Sequence, residues 1–253
     1  MMRYIPVQLV LAIILLWQAP AMMAQNIVAN GGFESGDFSG WSTNVADSSG
    51  QVAGAAAHSG SFGAEFSETI LMGDIGSEDQ MTHTLTTQAG TNYILSFWAN
   101  GARQSSLGAK WNGINLLTNS IYYYPFFSSL SSGWTNFQFV VQATGASTVL
   151  TFSFKASPGA NNSTSLTYLD DVGVLPLAGY NQINAQALGG GKVKLIFTGL
   201  PGVNYALDRT FNLLPVIQWT ALSTNVMDSS GSLILTNTAV ASTNNFWRVR
   251  VVQ

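Results

Sequence analysis

The sequence contains no cysteine and only two histidines in 253 residues. The first absence excludes a disulfide framework and a lipid-modified cysteine anchor. The second leaves little imidazole for catalysis. Neither His58 nor His83 stands in a metalloprotease or nucleophile motif, and no Gly-x-Ser-x-Gly elbow or phosphate-binding loop occurs. Charge is also scarce, at 8% of residues, with nine basic and twelve acidic side chains. Nucleic acids and anionic membranes are recognised by clustered Lys and Arg, so neither is expected as a partner. No run of residues is apolar for the ~20 positions that a spanning helix needs.

What is present begins with a leader. Arg3 supplies a positive start, Ile5 to Trp17 a short apolar stretch, and Pro20 to Ala24 a small-residue cleavage site before Gln25. Residues 1–24 are therefore expected to be a signal peptide and the mature protein to be exported, with the extracellular space, periplasm and cell surface all open. A hydrophobic content of 47% exceeds that of a solvated, disordered chain.

The mature sequence shows no helical periodicity; alternation with period two dominates. Tyr93, Leu95, Phe97 and Ala99 share one face of a strand. Phe137, Phe139 and Val141 share another, as do Leu150, Phe152 and Phe154. Gly, Asn and Ser clusters, including those around Gly60 and Gly145, separate the runs at the spacing of an antiparallel sandwich. Leu175 to Gly179 reads as a joint. Beyond it the pattern restarts with Val193, Leu195 and Phe197. The fold class expected is all-β: an antiparallel β-sandwich over residues 26–176, a linker over 177–190, and a smaller β-sandwich over 191–253.

Several stretches, taken in order, carry a resemblance. They are Asn30 to Trp41, His58 to Ala64, Leu85 to Trp98, Trp111 to Gly113, Gly133-Trp134 and Leu169 to Val172. Residues 26–176 thereby resemble the carbohydrate-binding-module family 4/9-like group of galactose-binding-like jelly rolls. The tail, with Gly199 to Tyr205, Trp219 and Phe246 to Arg248, resembles a small β-sandwich module with no assigned chemistry.

The resemblance implies a structural calcium ion tying the N-terminal loop to the last strand of the jelly roll. Calcium takes six to eight oxygen ligands. The candidates are Glu34, Asp170, Asp171 and backbone oxygens near Ser61. Adjacent strand residues point to opposite faces, so only one of the two aspartates is expected to ligate by its side chain, with Asp171 favoured. The competing reading is that Glu34 bonds turn amides and the aspartates cap a strand end.

A sugar-binding surface needs exposed aromatic faces flanked by hydroxyls and amides. Trp111 and the run Tyr122, Tyr123, Tyr124, Phe126 supply rings, and Asn112, Asn119 and Arg103 supply polar groups nearby. Trp111-Asn-Gly113 fits equally a hairpin with an Asn-Gly turn. Trp41, Trp98, Trp134, Trp219 and Trp247 read as packing residues. The function expected is non-catalytic, weak and reversible glycan binding, with a polysaccharide as partner. The alternatives are a structural or adhesive surface protein contacting a cell-surface or matrix protein, and a component of a glycoside-hydrolase system.

Overall fold

The computed structural model describes residues 25–45, 48–70, 78–103, 105–117, 128–129, 133–156, 163–213, 217–240 and 243–252. The jelly roll is built from β1 (Ser42–Asn44), β2 (Ser48–Ala53), β3 (Gly63–Ile70), β4 (Asp79–Thr86), β5 (Asn92–Arg103) and β6 (Ser105–Trp111). It continues with β7 (Ile114–Asn115), β8 (Ser128–Ser129), β9 (Thr135–Gln142), β10 (Ser147–Ala156) and β11 (Ser163–Pro176). A 3-10 turn, Leu177–Gly179, leads on to β12 (Gln182–Gly189), β13 (Lys192–Thr198) and β14 (Asn204–Thr210). The chain ends with β15 (Thr220–Val226), β16 (Ser232–Thr238) and β17 (Phe246–Val251).

All described pairings are antiparallel. The first sheet has the order β1-β4-β10-β6-β7, with β8 also on β6, and the second has the order β2-β3-β11-β5-β9. Alternation explains why they face each other. β5 turns Tyr93, Leu95, Phe97 and Ala99 inward, each at most 4% exposed, and β10 answers with Leu150, Phe152 and Phe154. The rings meet across the gap. Phe66 stacks on Phe154 at 3.7 Å, and Phe97 meets Phe152 edge-on at 4.9 Å. Burying each such side chain stabilises the fold by about 1.5–3 kcal/mol. β9 is an edge strand, so Phe137 and Phe139 are only partly buried, stacking on Phe97. Gly60 and Gly145 fall in turns, as the breaks in pattern indicate.

The second domain pairs β12-β13-β16 in one sheet and β15-β14-β17 in another. Its core is small: Phe197, Tyr205 and Met227, with Val203, Leu233 and Val249 against them. Residues 182–189, expected within a linker, form β12 and pair with β13 from Gln182 to Gly189. Sequence pattern missed this strand because it is an exposed edge and shows no buried alternation. Trp219, expected as packing, lies outside the core cluster, beneath the guanidinium of Arg248 at 4.4 Å.

The two domains pack against each other. Ile94, Leu175 and Leu200 form a shared apolar cluster. Asn26 stitches across it: its side-chain amide donates to Val172 O at 3.2 Å and Ser229 O at 2.7 Å, and its N–H donates to Ser230 O. Among the described residues no helix is long and apolar enough to cross a membrane.

Candidate functional site

Two surfaces follow from this framework, and the first is the outer face of the β1-β4-β10-β6-β7 sheet. Because Met81, Leu85, Phe152 and Leu107 point inward, Thr82 and Thr84 of β4, Thr151 of β10 and Lys110 of β6 point outward. Glu78, just before β4, lies over this face. Its Oε1 accepts from Lys110 Nζ at 3.3 Å and from Gln80 Nε2 at 3.0 Å, and both charged side chains remain partly exposed. Gly108, directly opposite Ser153 in the register, keeps the floor between β6 and β10 low. The result is a shelf of hydroxyls and amides with one ion pair.

Trp111 does not belong to this surface. Its ring is 3% exposed and inward-facing, 6.1 Å from Tyr93, and its Nε1 donates to Gln142 O at 2.9 Å. It continues the inward face of β6 set by Leu107 and Ala109. Asn112 and Gly113 adopt positive φ of 48° and 82°, and Trp111 pairs with Ile114. This is the two-residue hairpin that Asn-Gly favours. Asn112 is exposed, bonding Thr144 through its side-chain amide at 3.2 Å. Arg103 closes β5 by its backbone; its side chain lies outside the described residues, as do Asn119, Tyr122, Tyr123, Tyr124 and Phe126. The strands flanking that run, β7 and β8, both pair with the β6 edge of this same sheet.

The second surface is a crevice between the domains. β11 has a bulge between Asp170 and Gly173, where Asp171 takes φ 51°. The bulge cancels strand alternation, so both carboxylates reach one turn. Asp170 Oδ2 accepts from the N–H groups of His58 at 2.8 Å and Ser59 at 3.1 Å. Asp171 Oδ2 meets His58 Nδ1 at 2.7 Å, and its Oδ1 accepts from Ser59 Oγ at 2.8 Å. The expectation that the two aspartates diverge is corrected by this geometry. Burial, and then the adjacent Asp171 charge, push the Asp170 carboxyl up to about 8. The His58 ring stacks on Trp98 at 3.9 Å and meets Trp134 edge-on at 5.2 Å. Gly32, Glu34 and Asp171 face Gly202, Asn204 and Asp228 across a cavity of about 610 Å³.

These residues do not fit a calcium cage. Among the described residues no three His, Asp or Glu side chains are arranged so as to hold a metal ion. The oxygens that a cation would need already accept hydrogens. Glu34 takes the N–H groups of Ser61 at 2.9 Å and Phe62 at 3.1 Å, and Ser61 thus turns its N–H toward the carboxylate. Asp170 and Asp171 take the His58–Ser59 turn. The turn-amide reading of Glu34 is the one this geometry matches. Sequence alone flagged the aspartates but not their imidazole partner, since His58 and Asp171 are 113 residues apart.

Comparison with known proteins adds the family. The family model described as "Carbohydrate binding domain" matches residues 25–164. No curated protein matches. Among solved structures, the chain is similar to TmCBM61, solved in complex with β-1,4-galactotriose (21% identity, 60% of this chain and 98% of that one, TM-score 0.41). It is also similar to a family 16 carbohydrate-binding module (20% identity, 59% and 99%, TM-score 0.39). A third likeness is to the xylan-binding CBM22-1 domain of Paenibacillus barcinonensis Xyn10C (14% identity, 62% and 98%, TM-score 0.39). Since the family model spans more than half of the sequence and the described strands form its sandwich, the chain belongs to the family 4/9 carbohydrate-binding domains.

Proposed function

We propose that the chain is an exported, non-catalytic binding protein that holds a polysaccharide weakly and reversibly across the outer face of the β1-β4-β10-β6-β7 sheet. The observation that carries the reading is the polar shelf on that face: threonine hydroxyls, the Gln80 amide and the Glu78–Lys110 pair. Sugar hydroxyls are matched by such groups, while the apolar face of a pyranose stacks on a ring. The rings proposed for this are those of Tyr122 to Phe127, which lie outside the described residues. Calcium plays no part in the reading. Glycoside hydrolysis uses two carboxylates about 5–10 Å apart. Among the described groups of this shelf Glu78 is the carboxylate, and it is already paired with Lys110.

The test is retention of residues 25–253 on a panel of insoluble and immobilised neutral polysaccharides. Selective retention is expected, weakened about five- to tenfold by Tyr123→Ala or Lys110→Ala, with unchanged melting temperature. A folded protein retained by no member of the panel would move the assignment to a structural or adhesive role. Release of soluble sugar from the panel would instead make the protein an enzyme.

A further inference from the structure

Charge is divided unevenly along the chain. Residues 182–253 carry Lys192, Lys194, Arg209, Arg248 and Arg250 against Asp208 and Asp228. Residues 25–181 carry three basic side chains against ten acidic ones. The matched family stretch ends at residue 164, before the positive domain begins.

Two of the five cations are organised around one carboxylate. Arg248 and Arg250 lie two apart on β17 and therefore share a face. Both donate through Nε to the same oxygen, Oδ2 of Asp208 on β14, at 2.9 and 2.8 Å. The Asp208 side chain is 2% exposed, whereas the guanidinium side chains are 43% and 45% exposed. Burial works to raise the Asp208 carboxyl, but the bonds and charges of Arg250 and Arg248 outweigh it and hold it below the usual carboxylate range. Both arginines are anchored through Nε, and their side chains remain nearly half exposed while the buried carboxylate sets their spacing. Beside them lies Trp219, with the Arg248 guanidinium 4.4 Å from its ring centre.

We propose that the outer face of the β15-β14-β17 sheet is a second carbohydrate site, selective for polysaccharides bearing carboxylate or sulfate groups. Planar guanidinium forks bind such oxyanions bidentately, and Trp219 supplies an aromatic edge for the sugar ring. Two forks with one net positive charge suit a spaced anionic sugar better than a nucleic acid, which calls for a larger basic patch. A polymer engaging both domains gains retention through effective concentration without any new contact. The second site does not depend on neutral-glycan binding by the jelly roll, because each has its own probe.

The experiment measures binding of residues 25–253 to polygalacturonate, a sulfated galactan and a neutral galactan. Binding to an acidic polymer that weakens between about 50 and 300 mM NaCl is expected; which polymer binds distinguishes carboxylate from sulfate. The variant Asp208→Asn/Arg250→Gln keeps one net positive charge and leaves no unpaired buried carboxylate. It is expected to lose about tenfold or more in acidic-polymer affinity, with melting temperature and neutral-polymer binding unchanged. Lys192→Gln/Lys194→Gln, on the other sheet, is expected to change nothing. Equal losses from the lysine pair would reduce the effect to diffuse charge and overturn the site. So would a folded wild type that binds neither acidic polymer, or self-association abolished by the Asp208→Asn/Arg250→Gln variant.

Discussion

Trp111→Ala separates the two roles open to that ring. The side chain is 3% exposed and packs near Tyr93, opposite Leu150 on β10. Truncating a buried tryptophan to alanine costs about 3–5 kcal/mol through lost burial and the cavity left behind. The Nε1 bond to Gln142 O disappears with it, leaving a part-buried carbonyl without its partner at a cost of about 1 kcal/mol more. At about 2–4 °C per kcal/mol for a protein of this size, the melting temperature of residues 25–253 should fall by about 10–20 °C. Trp111→Phe keeps part of the apolar area but loses the N–H and some of the ring volume, so a smaller fall, of about 4–10 °C, is expected. Both are read from a circular-dichroism melt alongside polysaccharide retention. A Trp111→Ala protein that melts within about 2 °C of wild type yet no longer binds polysaccharide would refute the reasoning, because a ring behaving that way is a stacking platform rather than core.

Two other perturbations probe the crevice. A Cβ on Gly202, whose φ is +70°, would sit 2.2 Å from Asp171 Oδ2 and 2.8 Å from Trp98 Nε1; Gly202→Ala should therefore destabilise by about 1–3 kcal/mol, and an unchanged melt would mean that the second domain does not seat there. Adding a chelator should leave the wild-type melt unmoved, since the carboxylates of Glu34, Asp170 and Asp171 are already held by N–H and O–H donors; a drop of several degrees would restore the ion to the jelly roll.

The sandwich was legible wherever large apolar residues recur on one face of a strand. Tyr93, Leu95, Phe97 and Ala99, like Leu150, Phe152 and Phe154, recur with period two and form the core, although Ile94, Ser96 and Ser153 on the opposite faces are buried as well. β12 was illegible for the converse reason: an edge strand exposed along its whole length gives period two nothing to mark. The Asn112-Gly113 turn was readable, but a turn fixes only which residues pair; Trp111 faces inward because it continues the face of Leu107 and Ala109 along β6. Trp219 was misleading. A tryptophan near the start of a strand in a small sandwich suggests core, but the arginine that covers it lies 29 residues later on β17, with β14 between the two strands.

The Asp170–Asp171 pair shows how one local irregularity rewrites a site. In a regular strand the two side chains would diverge, one into the sandwich and one out of it. A bulge adds a residue to one strand and re-aims the side chains beyond it, and here it places Asp171 at φ 51°, a conformation that non-glycine residues seldom adopt. Both carboxylates then converge on the His58–Ser59 turn, four hydrogen bonds closing a 112-residue loop between β11 and the segment before β3. Two adjacent buried negative charges would repel strongly. The site relieves this in two ways: Asp170 is pushed toward its neutral form, and Asp171 is matched to an imidazole that is itself held in place by stacking on Trp98. These hydrogen bonds join the His58–Ser59 turn to the last strand of the jelly roll. The same bulge also presents Gly173 to Pro201 and Asp171 to Gly202 of the second domain, so the feature that latches the jelly roll also forms the seat on which the second domain rests.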